Sequence, residues 1–267
     1  MSQDFLEELG RATHGDASAQ FAVAEAYRMG EGVQESLPES LRWYRAAADQ
    51  GHAAAQNNLG TMHLNGIGVD KSPAEAAKWY RLAADQGEEV AQFNLGMRYL
   101  HGQGVEHSDT EAARWFAKAA ENGHVEALGE LGTLYRFGRG VARNVVTAAR
   151  YHTMAAMAGD IPALGNLLDY QADIERAALA GSALAALCLA QMYERGLPVK
   201  KDLAQALAWL KWGGEHCDRD DDLDAEEDRD NLDLSLAIGA SDADKARAAI
   251  QLEELDQRAI GLEQSRA

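Results

Sequence analysis

The sequence predicts an all-α solenoid, and three features of its 267 residues carry that reading. Glycine recurs every 36 residues, as Gly15, Gly51, Gly87, Gly123 and Gly159, and again as Gly30, Gly66, Gly102 and Gly138, with Gly32, Gly68, Gly104 and Gly140 beside them. Trp43, Trp79, Trp115 and Tyr151 keep the same step. So do Ser36, Ser72, Ser108 and Asn144, all residue types that cap helix N-termini well. A fixed period of this size marks an array whose units bury their apolar faces only against their neighbours.

Residues 52–87 show how one unit is built. Ala53, Gln56, Leu59, Gly60 and His63 recur at steps of three and four and share one helix face. Asn65-Gly66-Ile67-Gly68-Val69 ends that helix with glycines suited to a left-handed stop. Ser72-Pro73-Ala74-Glu75 then reads as a capping box with proline at the first helical position. The second helix runs through Ala76, Ala77, Trp79, Tyr80, Ala83 and Ala84 to Gly87.

The same register divides the chain from end to end. Residues 16–51, 52–87, 88–123 and 124–159 are four equal copies. A step of 58 restores register beyond them, taking Tyr135 to Tyr193 and Gly138 to Gly196. Residues 160–181 are therefore a shortened fifth unit, with a kink or a change of pitch expected there, and 182–217 are a sixth. Residues 1–15 read as a lone second helix capping the start of the array. Residues 218–267 read as an acidic C-terminal helix pair capping its end, with Ser241 at the N-cap of the last helix.

Composition narrows the function classes. Hydrophobic residues make up 46% and charged residues 25%, which places the chain among ordered proteins rather than disordered ones. The net charge is −18, of which the 53 residues from Glu215 onward carry −11 (17 acidic, 6 basic). That excess repels phosphate backbones, so neither nucleic acid nor an anionic membrane is the expected partner. No apolar run reaches the roughly 18 residues of a spanning helix. The N-terminus lacks the pattern of a signal peptide, and Cys188 and Cys217 form no disulfide framework. A cytoplasmic location is the expectation.

The pattern A-x-x-L-G-x-x-Y-x-x-G-x-G-V followed by W-Y-x-x-A-A-x-x-G resembles the Sel-one-like repeat, a relative of the tetratricopeptide repeat. Gln92 to Tyr99, Gly102 to Val105, and Trp115 to Ala120 carry it here, and the likeness covers about residues 5–260. His63 in the tyrosine column and Pro198 in a glycine column depart from it. The resemblance implies a right-handed α-α superhelix of helix pairs, serving as a bacterial-type, non-enzymatic adaptor or scaffold for other proteins. It also implies that the first helix of each pair lines a concave groove.

In that groove four columns are expected to face outward, through positions 54, 58, 61 and 65 and their equivalents. Asn58 and Asn94 stack 36 residues apart, and an amide offers both donor and acceptor to an extended peptide. Arg98 lies one turn beyond Asn94, in position to hold a carboxylate, although no lysine pair accompanies it. Thr61, Met97, His101, Glu130 and Phe137 complete the expected partner-binding set. Leucine in place of Gly96, in the column of Gly60 and Gly132, is expected to overcrowd the helix packing.

Catalytic patterns are missing. The chain has no H-E-x-x-H, paired C-x-x-C, P-loop or G-x-S-x-G. Some relatives of the resembled family have been described as β-lactamase-like or as cell-wall hydrolases, but neither S-x-x-K nor K-T-G is present. An exported, host-directed effector of the same fold is a further alternative. His52 and His124 share a column at the start of the first helix, beside Asp16, Glu88 and Asp160, a position that suits a surface N-terminal role better than metal ligation. The acidic run Asp218 to Asp230 lacks the glycine and glutamate of a calcium loop, with Leu223 and Arg229 in their places. No cofactor or metal is expected, and the oligomeric state is not legible.

Overall fold

The computed structural model describes residues 1–216 and 223–266, so Cys217 and residues 218–222 of the acidic run lie outside the described residues. Every regular element among the described residues is a helix. They fall into two compact units, Met1–Ala127 and Leu128–Ala267.

The first unit holds α1 (Gln3–Thr13), α2 (Ala17–Met29), α3 (Leu37–Asp49), α4 (Ala53–Asn65), α5 (Pro73–Ala84), α6 (Glu89–His101) and α7 (Asp109–Glu121). Helices α2 and α3, α4 and α5, and α6 and α7 form hairpins, and each hairpin packs on the next. Most are 13 residues long, about 20 Å at 1.5 Å per residue.

Each hairpin is closed in the same way. Gly66 ends α4 in the left-handed region at φ 74°, and its N–H donates to the Met62 carbonyl at 2.8 Å. Ser36, Ser72 and Ser108 then accept from the backbone N–H of Glu39, Glu75 and Glu111 at 3.2–3.4 Å. The capping box expected there is only half formed. The serine N–H groups instead donate to the carbonyls of Tyr27, His63 and Tyr99, each the third-last residue of the preceding helix. With that donor taken, the glutamates turn to Arg42, Lys78 and Arg114 one turn on.

Interhelical packing uses a ring-in-notch contact. Tyr80 lies over Gly60 and Phe116 over Gly96, and a Cβ on either glycine would stand 2.7 Å from ring carbons. Both rings are buried. Gly104 permits a second close approach: at φ +79° it passes under α5, where a Cβ would lie 2.0 Å from the Pro73 carbonyl oxygen.

A buried amide ladder links successive hairpins. Gln20, Gln56 and Gln92 donate to the carbonyls of Ala12, Ala48 and Ala84 at 3.1–3.2 Å. Their side-chain oxygens accept from Gln50, Gln86 and Asn122 at 2.7–3.0 Å. Each buried polar group is thereby satisfied. In the next copy Leu128 and Ala158 replace both partners together.

The second unit takes in α8 (Val125–Phe137), which begins just before it, then α9 (Val145–Met157), α10 (Ile161–Asp169) and α11 (Gln171–Leu179). They are followed by α12 (Ala183–Arg195), α13 (Leu203–His216), α14 (Leu223–Gly239) and α15 (Asp242–Arg266). Helices α10 and α11 have nine residues each and meet at Tyr170 without a glycine loop. Being a turn shorter, they leave α9 in reach of α12 as well as of both of them. Trp209, Trp212, Ile174 and Leu167 centre this unit's core. Along α13 lies α15, burying Ala248 and Leu255. Here the capping box is complete: Ser241 accepts from the Asp244 N–H at 3.1 Å, and Asp244 accepts from the Ser241 N–H at 3.0 Å. The Ser241 hydroxyl also donates to the Asp244 carboxylate at 2.6 Å, and with Arg247 one turn on and the Ser241 N–H it holds that carboxyl down at about 2.

Candidate partner-binding site

Six of the eight expected residues lie in the first unit, on α4 and α6. Asn58 is half-buried and donates to Glu25 Oε1 of α2 at 2.8 Å. The same oxygen accepts from the Tyr44 hydroxyl, while Glu25 Oε2 pairs with Arg28 at 2.5 Å. Burial, with the Glu25 carboxylate beside it, pushes the Tyr44 phenol up to about 12, so it stays protonated and donates.

Asn94 makes the equivalent reach from α6. Its amide donates to Asn57 Oδ1 of α4 at 3.0 Å. Arg98 bonds to the Asn94 carbonyl oxygen through Nε at 3.4 Å and to Gln103 Oε1 through Nη1 at 2.5 Å. Burial pulls its pKa down and the nearby Tyr80 opposes that. Arg98 occupies a column filled elsewhere by Ala26, Met62, Leu134 and Met192, so its stem packs where other copies bury an apolar side chain. Because Asn57 and Asn58 are adjacent, α4 joins both networks.

Thr61 shares a hydrogen bond with the Tyr80 hydroxyl at 3.0 Å, which turns it toward the second helix of its own hairpin. Met97 is half-buried and His101 exposed. Glu130 and Phe137 belong to α8 in the second unit. Phe137 is 59% exposed, with the Arg136 guanidinium 5.0 Å from its ring centre. Glu130 is half-buried.

Asn57, Tyr44 and Gln103 were missed by the sequence reading. The signal lay in two columns that change together nineteen residues apart. Glu25, Thr61 and Thr133 face Tyr44, Tyr80 and His152, whereas Met97 is matched by Phe116, which has no polar tip. The histidines expected at helix starts behave differently from one another. His52 caps α4, accepting from the Ala55 N–H at 3.3 Å, and stacks on Phe21 at 4.7 Å. His124 stacks on Phe93 at 4.4 Å, and burial lowers its pKa. Among the described residues, no group of three histidine, cysteine or acidic side chains could hold a metal ion. No helix among them is long and apolar enough to cross a membrane.

These hairpins, glycine stops and capping serines match one family model, the Sel1 repeat, over residues 17–52, 53–88, 90–124, 125–160 and 181–211. The chain belongs to the Sel1 repeat family. Residues 161–180, which hold α10 and α11, fall between the fourth and fifth matched repeats.

Solved structures agree. A protective antigen of uropathogenic Escherichia coli with an SLR fold is 26% identical, with a TM-score of 0.62 over 97% of this chain and 59% of its own. The chain thus spans about three-fifths of that antigen. A Sel1 repeat protein from Oxalobacter formigenes is 30% identical, with a TM-score of 0.53, and 77% of this chain and 76% of that one are covered. No curated protein matches this Sel1 repeat chain. Sel1 repeats are typically scaffolds for protein interaction.

Proposed function

We propose that this Sel1 repeat protein is a non-enzymatic adaptor whose first unit grips an extended peptide or helix of a partner protein through Asn58, Asn94 and Arg98. One observation carries the reading. Both amides are tethered to the first helix of the preceding hairpin, Asn58 to Glu25 and Asn94 to Asn57. A side-chain amide has more donor and acceptor sites than such a tether uses, so what remains is held in a fixed orientation. Thr61, Met97 and His101 flank them on the same helices. Glu130 and Phe137 offer a second contact surface on α8. The reading keeps the array of six units, with α1 before it and α14 and α15 after it, in a cytoplasmic protein of bacterial type.

The test passes native bacterial lysate over immobilised wild-type protein and over the Asn58→Ala/Asn94→Ala/Arg98→Ala variant, with bound proteins identified by mass spectrometry. A client held by the wild type and lost by a variant with an unchanged circular dichroism spectrum supports the reading. Identical sets on both columns reject this site.

A further inference from the structure

We propose that His152 is an acid-sensitive pin that holds the shortened helix pair α10–α11 in place within the second unit. Its ring is fully buried and fills the notch at Gly132, where a Cβ would stand 2.7 Å from imidazole carbon. Nδ1 lies 2.5 Å from the Tyr170 hydroxyl, and Nε2 lies 3.1 Å from the Gly129 carbonyl oxygen. A carbonyl oxygen can only accept, so Nε2 carries the proton and donates to it. Nδ1 is then bare and accepts the Tyr170 O–H. The Asn166 amide lies 3.2 Å from Nε2. One ring therefore ties α9 to α8 through Gly129 and to the α10–α11 junction through Tyr170, with Asn166 of α10 packed beside it.

A second proton has to enter at Nδ1, on the lone pair that receives the phenol. The charge it brings is buried and faces other charged and titratable groups. Arg136 of α8 sits 4.6 Å from the Tyr170 ring centre and pairs with Asp169 of α10 at 3.3 Å. Burial drives the Tyr170 phenol's pKa upward, Cys188 of α12 adds to that electrostatically, and Arg136 opposes it. Burial lowers the imidazole to about 4; the Gly129 bond opposes this and Arg136 reinforces it.

Other units show that the notch needs a ring but no imidazole. Tyr80 fills it over Gly60, bonded to Thr61, and Phe116 fills it over Gly96. Thr133 stands where Thr61 does, 3.4 Å from His152 Nε2. Replacing His152 by tyrosine thus recreates a pair that the chain already uses.

The sign follows from linkage. An imidazole held near 4 when folded and near its ordinary 6.5 when exposed stabilises the fold fully above pH 6.5. That stabilisation is lost as pH falls from about 6.5 towards 4, since the opened state takes up the proton first. Between pH 7 and pH 5 the opening equilibrium of α10–α11 rises about 20-fold.

Hydrogen exchange of the intact chain at both pH values, corrected for intrinsic rates, tests this. Protection of α10 and α11 is expected to drop about 20-fold in the wild type, well beyond any drop in α4 and α5, and to stay level in His152→Tyr. His152→Phe serves if the tyrosine variant does not fold. An NMR titration of the wild-type imidazole needs no variant and is expected to show no inflection above pH 5. Titration near 6.5, or an equal fall in protection in the ring variants, overturns the proposal.

Discussion

At the scale of single residues, this fold turns on whether a side chain has room for its Cβ. The α6–α7 hairpin is spaced for no methyl at Gly96, because a Cβ there stands 2.7 Å from two carbons of the Phe116 ring. The ring is fully buried and cannot swing aside as a flexible side-chain end could. In the α2–α3 hairpin the same column carries Ala24, so that pair is spaced for the methyl. Gly96→Ala is therefore expected to cost about 1–3 kcal/mol through overpacking, and leucine more. A urea midpoint unchanged in Gly96→Ala would refute the close approach. The glycine column was legible in the sequence because a small residue recurs there at a fixed step. The partners of the candidate site were not. Asn58 and Asn94 look alike in sequence, yet one meets Glu25 and the other Asn57, because Thr61 stands in the Glu25 column facing Asn94 and Phe21 in the Asn57 column facing Asn58.

At the scale of elements, helix starts and stops were legible because glycine and serine act locally on the backbone. The capping box was read one bond too generously. The N–H of Ser72 is taken by the His63 carbonyl across the glycine loop, an interaction between elements that a local motif does not encode. At Ser241 the box closes with Asp244. The buried glutamine ladder offers the sharpest test of how hairpins are joined. Gln92 satisfies both the Ala84 carbonyl and the Asn122 amide. Gln92→Ala removes one partner from each, leaving the Ala84 carbonyl its bond from the Gly87 N–H and the Asn122 amide its bond to the Gly87 carbonyl, and is expected to cost about 0.5–1.5 kcal/mol per lost hydrogen bond. Gln92→Leu with Asn122→Ala imitates the Leu128 and Ala158 of the next copy. That double variant is expected to lose less than the single one in urea unfolding followed by tryptophan fluorescence. A double variant no better than the single would show that the amide pair is not the joint.

At the scale of the molecule, two compact units with separate cores imply that damage stays local. In a repeat array, stability is close to a sum of unit terms and nearest-neighbour interfaces. The C-terminal helix α15 tests that for the second unit. Leu255 and Ala248 are buried against the rest of the unit, with Leu252 and Ala259 partly so. Around them lie two ion pairs, Arg258 with Glu175 at 2.8 Å and Arg247 with Asp202 at 3.6 Å, and His216 Nε2 stands 3.2 Å from Asp256 Oδ1. Exposed pairs contribute at most about 1 kcal/mol each, whereas a fully buried leucine contributes about 1.5–3 kcal/mol. The apolar seam therefore decides the attachment, and salt is expected to weaken it little. Deleting residues 242–267 uncovers α13 and the end of α11, so hydrogen-exchange protection is expected to collapse in those two helices first. Helices α2 to α5 have their own core around Tyr44, Leu59 and Tyr80 and are expected to keep theirs. Equal loss along the whole chain would mean that the two units unfold as one, because a nearest-neighbour array has no other route by which a terminal helix reaches its far end.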